Sequence, residues 1–301
     1  MELFESRIAI ATLAAFASTA CAREGTRARA VAGSAFPVEL RDDQGRAVVV
    51  RAEPMRIVSL VPSHTETLVA LGVGARIVGI DDWSDAPLEA TSLPKLGGLY
   101  DTHVEEVLAL HPDLVLLSES NGAVRALEHA GVTEWAGSAQ TFDEIAPAIE
   151  AIGKMVGRSA EAAGLVARIG ADLAVVEKSV AGEPRVSVYY ELDATPYTVG
   201  PESFIGVMLV KAGGDNVIPT GLGEFPKISP ELVVAKNPAV ILGASASEVA
   251  SRSGWAGIAA VRDGKVFKLL PAENRLVVRP GPRIAEGARI LAEHLHPEVH
   301  R

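Results

Sequence analysis

Two acidic residues occupy equivalent places in a segment that the chain carries twice. The stretch from Glu105 to Leu116 and the stretch from Glu231 to Leu242 share a Glu, Val, Ala, Pro and final Leu, 126 positions apart. A repeat at this distance predicts two lobes of similar build rather than a short-period solenoid. Each carboxylate then lies at the start of a helix. The carboxylate can serve that helix end, with Thr102 completing a capping box for Glu105, or face a partner, and the two roles can coexist.

The sequence lacks several common catalytic and nucleotide-binding motifs. The chain has no Gly-x-Ser-x-Gly elbow, no Walker A loop and no His-Glu-x-x-His. The Gly-Val-Gly run at 72–74 resembles the start of a dinucleotide fingerprint, but Ile77 replaces the third glycine and the run follows a predicted helix. His294, His296 and His300 could hold an adventitious metal, although we expect a solvated tail. An enzyme that uses the interlobe cleft remains a minor alternative.

Composition bounds the class of protein. The 301 residues suffice for two domains of ordinary size, and a mean hydropathy of +0.23 indicates a well-filled core. The net charge is −10, from 28 Lys and Arg against 38 Asp and Glu. A surface for nucleic acid needs clustered positive charge, and the sequence has no basic run. Nucleic acid is therefore a poor partner.

The N-terminal sequence predicts an export signal. Residues 1–20 contain an apolar core from Ile8 to Ala17, followed by small residues and Cys21, the only cysteine. A lone cysteine at this place is where bacterial lipoproteins are acylated, so we expect lipidation at Cys21 and a flexible tether over 21–35. The alternatives are a cleaved, unanchored periplasmic form and a buried N-terminal helix. No later segment is long and apolar enough to span a bilayer.

The rest of the chain predicts an α/β architecture. A hairpin is expected between Val38 and Val50, and short apolar runs then alternate with helical stretches, which is typical of parallel sheets covered on both faces. The strands are predicted at 57–61, 77–80, 114–117, 186–192, 240–242 and 266–270, and the helices near 65–71, 104–110, 204–211, 231–235 and 284–294. A longer helix, N-capped by Ser159 and running to Ala181, separates lobes at 36–157 and 183–301, with the connecting segment at 158–182.

Five further segments carry recognisable sequence. They are Arg-Ile-Val-Ser-Leu-Val-Pro-Ser-His-Thr-Glu-Thr-Leu at 56–68, Val-Gly-Ile-Asp-Asp-Trp-Ser-Asp-Ala-Pro at 78–87, Leu-Gly-Gly-Leu-Tyr at 96–100, and the runs at 197–203 and 213–217. Over about residues 36–296, they resemble the substrate-binding proteins of ABC importers for cobalamin, ferric siderophores and haem, with the cobalamin-binding members most similar. The resemblance implies a class III periplasmic binding-protein fold, with two Rossmann-like lobes, central parallel sheets and one long rigid connecting α-helix.

The resemblance implies transport rather than catalysis. The protein would act outside the cytoplasm as a monomer, binding a metal-chelate ligand and presenting it to an ABC permease dimer with its ATPase subunits. In this family an acidic residue on each lobe docks against permease arginines, and the motif puts these residues at Glu105 and Glu231. A lipoprotein with a structural or sensory role remains an alternative.

The resemblance also implies which residues line the cleft. Cobalamin-binding relatives have cleft residues at the positions of Pro62, Trp83, Tyr197, Phe225 and Arg279, and the turn before the first repeat copy adds Tyr100. Trp83, Tyr100, Tyr197 and Phe225 are all predicted to lie in loops, where aromatic faces suit a large planar ligand. Core or surface roles are the alternative for each.

The cargo remains open between three ligand classes. Cobalamin or a related corrinoid is expected first, but Leu99 and Ser118 stand where some cobalamin-binding relatives carry tryptophans. The alternatives are a ferric siderophore and haem. Haem would need an axial ligand, for which His64, Tyr100 or His103 could serve. No resident cofactor is expected.

Overall fold

The described part of the chain opens with a β-hairpin. A computed structural model describes residues 36–86 and 92–299, so the predicted export signal, Cys21 and the tether lie outside the described residues. Strand β1 (Val38–Arg41) pairs antiparallel with β2 (Ala47–Val50), and Val38 lies opposite Val50. This confirms the predicted hairpin.

The N-terminal lobe is built on a parallel sheet of β3 (Ile57–Ser59), β4 (Ile77–Ile80), β5 (Leu114–Leu117) and β6 (Glu134–Ala136), in the order β4-β3-β5-β6. All residues of β3, β5 and β6 are buried, as in a sheet covered on both faces. The helices of this lobe are α1 (Pro62–Ala70), α2 (Val104–Ala109), α3 (Val124–His129) and α4 (Ile145–Met155), with 3₁₀ turns at Gly74–Arg76 and Phe142–Glu144.

The C-terminal lobe has a second sheet. Its strands are β7 (Val186–Asp193), β8 (Tyr197–Thr198), β9 (Gly214–Asn216), β10 (Val240–Leu242) and β11 (Val266–Phe267). Strands β11, β10, β7 and β9 lie side by side in parallel, and the short β8 pairs antiparallel with the end of β7. The helices are α6 (Phe204–Lys211), α7 (Pro230–Lys236), α8 (Ala246–Ser251), α9 (Ala259–Arg262), α10 (Pro271–Val278) and α11 (Ile284–Leu295), with a 3₁₀ turn at Trp255–Gly257.

The two sheets share one strand order. Leaving aside the antiparallel β8, the first strand of each lobe lies between the second and the third, and the fourth is outermost next to the third. The sequence repeat is part of this likeness, because it covers α2 with β5 in one lobe and α7 with β10 in the other. His111 and Asn237 stand at matching repeat positions, and both have φ +47°, which is uncommon for non-glycine residues. The repeat therefore extends to backbone conformation.

One long helix joins the lobes. Helix α5 (Ser159–Val180) has 22 residues, which gives a length of about 33 Å. Its buried residues follow helical spacing and are Ala162, Leu165, Ile169, Leu173, Val176 and Val180. It packs against α4 of the first lobe and α11 of the second. The prediction of Ser159 as the N-cap is wrong, because Ser159 is already helical and Arg158 holds the N-cap position without a side-chain hydrogen bond.

The predicted fold class is confirmed, with local differences. The strand predicted at 266–270 ends at Phe267, and helix α10 follows it without having been predicted. Tyr197, predicted to lie in a loop, lies in β8. The lobe boundaries at 36–157 and 183–301 stay a prediction. Over the ranges that the structure describes, no helix combines the length and apolarity of a membrane span.

Candidate ligand-binding cleft

A cavity of about 870 Å³ lies between the two lobes. On the N-terminal side its lining comes from the segments that follow all four parallel strands, namely 60–63 after β3, 81–83 with Asp85 after β4, Ser118 after β5 and 138–140 after β6. The carboxyl ends of parallel strands meet at one sheet edge, which is where open α/β sheets bind ligands. The topology of the lobe therefore determines the position of the cleft.

The C-terminal lobe supplies the facing wall. Leu192 comes from the end of β7, Phe204 from the first turn of α6, and Phe225 from the loop before α7. Helix α10 and the residues after it add Asn274, Arg275, Val278 and Arg279, among others. Phe204 and Phe225 meet edge to face, with ring centroids 5.9 Å apart. This wall combines an aromatic patch with two arginines.

The residues predicted for the cleft fall into two groups. Pro62, Trp83, Phe225 and Arg279 line the cavity, whereas Tyr100 and Tyr197 are not among its lining residues. The Tyr100 side chain is 87% exposed, and the Tyr197 ring lies 5.9 Å from Nζ of Lys227. Leu99 and Ser118, which replace the tryptophans of some relatives, both line the cavity.

Hydrogen bonds within its own loop hold Trp83 at the cavity. The buried carboxylate of Asp81 accepts from the Trp83 amide at 3.1 Å and from the Ser84 hydroxyl. Lys95 Nζ donates to the carbonyl oxygens of Asp81 at 3.1 Å and Ser84 at 2.8 Å. Burial raises the pKa of the Asp81 carboxyl, against the lowering effect of these donors. In this tied loop Trp83 is 71% exposed and lines the cavity.

Arg279 connects the lobes across the cleft. Its Nη1 donates to Oε1 of Glu66 on α1 at 2.8 Å, and its Nη2 donates to Oδ1 of Asp85 at 2.7 Å and to the Trp83 carbonyl at 2.8 Å. Arg275 on α10 donates to the other oxygen of Asp85 at 3.1 Å. We call Glu66, Asp85, Arg275 and Arg279 the interlobe ion-pair cluster. Both lining arginines are therefore already paired with carboxylates.

The two carboxylates of this cluster differ in acidity. Burial raises the pKa of Glu66, and the hydrogen bond and charge of Arg279 offset only part of that rise. Asp85 is more exposed, so burial raises its pKa less, and the hydrogen bond and charge of Arg279 leave the pKa below its ordinary value. Asp85 therefore keeps its charge to lower pH than Glu66 does.

None of the three side chains considered as haem ligands lines the cavity. His64 is buried on α1, where burial lowers its pKa to about 3 and its ring lies 5.5 Å from that of Trp135. His103 is half-exposed, with Nδ1 3.5 Å from Oε1 of Glu106. Tyr100 points into solvent, as described above. His64 is therefore a neutral core residue.

Glu105 and Glu231 lie in the first turns of α2 and α7, and both are exposed. Within the described ranges, neither carboxylate has a hydrogen-bond or ion-pair partner. The predicted capping box with Thr102 is wrong, because His103 is the N-cap of α2 and the Thr102 hydroxyl donates to the Gly98 carbonyl at 2.6 Å. In α7 the cap is the Ser229 hydroxyl, which accepts from the Leu232 amide. Neither glutamate is used as a cap.

Sequence reasoning missed several cleft residues. Glu66 and Asp85 lie inside quoted motifs, but nothing local signals that they pair with Arg279, because the pairs are 213 and 194 positions apart. Asn274 and Arg275 were missed because α10 was not predicted. A smaller cavity of about 360 Å³, which shares residues 138–140 with the cleft and includes Asp43, Glu119 and Glu144, was also not anticipated.

Comparison with known proteins gives consistent matches. The family described as periplasmic binding protein matches residues 57–272. The uncharacterized ABC transporter substrate-binding lipoprotein YvrC of Bacillus subtilis is 34% identical over 278 residues, which cover 88% of this chain and 87% of that protein. The cobalamin-binding protein of Halobacterium salinarum is 30% identical over 276 residues, or 87% of this chain and 74% of that protein. The solved periplasmic haem-binding protein RhuT from Roseiflexus is 25% identical, with a TM-score of 0.72, covering 81% of this chain and 98% of RhuT.

These matches agree with the architecture. The family match runs from β3 in the first lobe through α5 to the start of α10 in the second, and the two relatives are similar over most of the chain. Two α/β lobes joined by a single long helix are the class III arrangement, and the likeness to solved structures extends over four fifths of the chain. The chain belongs to the periplasmic binding protein family, whose members bind the substrates of transporters and are not enzymes.

Proposed function

We propose that this protein captures cobalamin or a related corrinoid in the interlobe cleft and delivers it to an ABC permease. The observation that carries the choice of ligand is the polarity of the cavity lining. Among its described residues, the charged side chains are Asp81, Asp82, Asp85, Arg275 and Arg279. Both arginines are paired with carboxylates, so the part of the lining that the structure describes offers no free cation to an anionic ligand.

This charge pattern separates the ligand classes. Haem carries propionates, and many ferric siderophores are anionic through carboxylate or catecholate groups, so both would face acidic side chains without a free counter-charge. The periphery of a corrinoid is rich in neutral amides, whose N–H groups can donate to the exposed carboxylates of Asp82 and Asp85. Of the residues described along the lining, none is His, Tyr, Cys or Met, the side chains that ligate haem iron.

The size and surface of the cavity also favour a large ligand. A volume of about 870 Å³ is near the upper end of the usual range for small-molecule sites, roughly 300–1,000 Å³. Trp83 and Phe225 supply aromatic faces from opposite lobes. Leu99 and Ser118, smaller than the tryptophans that they replace, leave more room in the cleft. The proposed binding residues are thus Pro62, Trp83, Phe225 and Arg279, with Tyr100 and Tyr197 outside the lining in this conformation.

Delivery is proposed to use Glu105 and Glu231. Crossover helices α2 and α7 begin at the carboxyl edges of the two sheets, the same edges that open onto the cleft. Both carboxylates are exposed and are free for a partner as far as the described residues go. A permease dimer has twofold symmetry, and matched carboxylates on two similar lobes suit such a surface.

Anchoring is proposed to use Cys21. Membership in a periplasmic family supports an extracytoplasmic location, and the similarity to the lipoprotein YvrC supports acylation. The tether at 21–35 would then let the lobes reach the permease. A cleaved, unanchored form is the alternative, and mass spectrometry of the protein from membranes separates the two.

The test of the ligand is a visible absorption spectrum of the purified protein. It is incubated in turn with cyanocobalamin, haemin and a ferric siderophore, then desalted. We expect corrinoid bands at one equivalent per chain and no retained haemin or ferric chelate. Retention of haemin or the siderophore, without cobalamin, would overturn the choice of ligand while leaving the transport role intact.

Variants sharpen this test. Phe225→Ala and Trp83→Ala are expected to weaken corrinoid binding by about 1–3 kcal/mol each, a range known from stacking of aromatic side chains on nucleic-acid bases. Tyr100→Ala is the matched control, because this exposed aromatic residue lies outside the lining. Equal losses in all three variants would argue against the cleft assignment.

A further inference from the structure

Three side chains of metal-binding type meet in the C-terminal lobe, away from the cleft. Glu183 follows the end of α5, His296 is the C-cap of α11, and Glu298 lies two residues further along the chain. One ligand atom from each of the three lies within 4.8 Å of the other two. None of them lines the interlobe cavity.

His296 is the fixed member of this group. Its side chain is 2% exposed, so the expectation of a solvated tail is wrong for this residue. Gly213, at φ +81°, leaves the space for the ring, because a Cβ there would lie 2.4 Å from the His296 Nε2. A glycine at this point both permits the left-handed backbone and accommodates the imidazole.

One tautomer of the ring suits its surroundings. Nε2 lies 3.4 Å from the Gly213 carbonyl oxygen, which can only accept, so the tautomer protonated on Nε2 fits this contact. In that tautomer the lone pair is on Nδ1, which lies 3.8 Å from Oε1 of Glu298 and has no hydrogen-bond donor among the described residues. A histidine that donates one N–H to a backbone carbonyl and turns its other nitrogen towards carboxylates has the second-shell arrangement of a metal ligand.

We propose that Glu183, His296 and Glu298 form a binding site for a divalent transition metal, with zinc the best match. One imidazole nitrogen and two carboxylates, with an open position for water, fit zinc, whereas calcium and magnesium prefer ligand sets made only of oxygen. Zinc–ligand bonds of about 2.0–2.2 Å require the three atoms to approach one another more closely. Both glutamates are exposed, so their side chains can move to do so.

The bound metal would tie the end of the connecting helix to the end of the last helix. Glu183 lies just after Val180, the last residue of α5, and His296 follows Leu295, the last residue of α11. Since α5 also packs against α11, this link would stabilise the C-terminal lobe without touching the cargo. The expected effect is therefore on stability and not on ligand binding in the cleft.

The test uses the full protein without a polyhistidine tag, freed of metal and titrated with zinc alone against a chromophoric chelator. We expect one zinc per chain, with affinity reduced about tenfold or more in Glu183→Gln and in Glu298→Gln. Glu293→Gln is the matched control, an exposed glutamate on α11 whose charge change is the same. Zinc should also raise the thermal midpoint of the wild type and leave that of the Glu183→Gln/Glu298→Gln double variant unchanged.

Two outcomes overturn the site. One is the absence of stoichiometric zinc from the wild type. The other is zinc binding that survives the double variant, and its loss in His294→Ala would then assign it to an adventitious ion on α11. His296→Ala alone is a weaker test, since removing a buried ring can unfold the lobe, and the exposed glutamates avoid this difficulty.

Discussion

At the scale of single residues, burial decides which side chains near the cleft carry charge. His64 lies on a helix whose first residue lines the cavity, yet its own ring is buried against Trp135. Its pKa is lowered to about 3 because burial penalises the imidazolium. The ring is therefore neutral at any pH at which the protein works, and it acts as a packing residue.

This burial predicts a pH dependence of stability. The folded pKa of His64 is about 3, below the ordinary 6.5 of the unfolded chain, so between these values the unfolded state binds more protons. The contribution of His64 to the free energy of unfolding is thus fully present above pH 6.5 and is lost as the pH falls towards 3. From pH 8 to pH 5 the loss should be about 2 kcal/mol, measured by urea unfolding.

The variant that isolates this effect is His64→Gln. Whatever its own stability, this variant should lose about 2 kcal/mol less free energy of unfolding than the wild type between pH 8 and pH 5. The exposed His129→Gln variant should lose as much as the wild type does. An unchanged slope in His64→Gln would show that the imidazole is accessible to protons in the folded protein.

Residues of the site differ in how well the sequence predicts them. Pro62, Trp83, Phe225 and Arg279 were expected from the resemblance, and all four line the cavity. Two other expected residues, Tyr100 and Tyr197, do not, because the resemblance matches positions along the chain and carries no information on side-chain direction. The partners of Arg279 could not be predicted, since pairs more than 190 positions apart depend on how the lobes meet.

At the scale of elements, apolar periodicity explains the contrast between α5, which was predicted, and α10, which was not. Helix α5 buries six residues at helical spacing, and the prediction ends within one residue of the observed helix. Helix α10 buries only Val277, because one of its faces lines the cleft and another faces solvent. A helix that contributes its surface to a ligand cavity has no apolar stripe to reveal it.

Breaking the ion pair between Glu66 on α1 and Arg279 after α10 is predicted to lower the stability of the fold strongly. Arg279→Gln leaves the Glu66 carboxylate without its guanidinium, and the two side chains are only 10% and 6% exposed. Removing one partner of a buried pair leaves an uncompensated charge, so we expect a loss of about 3 kcal/mol in the free energy of unfolding. Chemical denaturation of the ligand-free protein measures it.

A double-mutant cycle provides the control. Glu66→Gln/Arg279→Gln should cost less than the sum of the two single variants, since neither charge is left alone. Arg283→Gln, which breaks an exposed pair with Glu286, should cost about 1 kcal/mol or less. Additive single effects would show that Glu66 and Arg279 are not coupled across the lobes.

At the scale of the whole molecule, two similar lobes share a continuous core. One hydrophobic cluster contains residues of α4, α5 and α11, such as Ile149, Leu173 and Leu291, so the lobes cannot separate far without exposing it. The ion-pair cluster adds a second link across the cleft. We therefore expect small movements on ligand capture and a nearly fixed spacing between Glu105 and Glu231.

A fixed spacing of two exposed carboxylates makes the docking proposal testable by charge reversal. Glu105→Lys/Glu231→Lys should keep the corrinoid affinity near wild type, because neither residue lines the cavity, and should abolish uptake into vesicles that contain the permease and its ATPase. Repulsion replaces attraction at both contacts, which costs several kcal/mol at a complementary interface.

The matched control reverses Glu150 on α4 and Glu293 on α11 to Lys, which makes the same change in net charge with one exposed residue on each lobe. This variant should transport like the wild type. If it fails as the Glu105/Glu231 variant does, uptake responds to overall charge and not to a docking contact. Normal uptake by the Glu105/Glu231 variant would refute docking through these residues, since two reversed charges at a twofold interface cannot be neutral in effect.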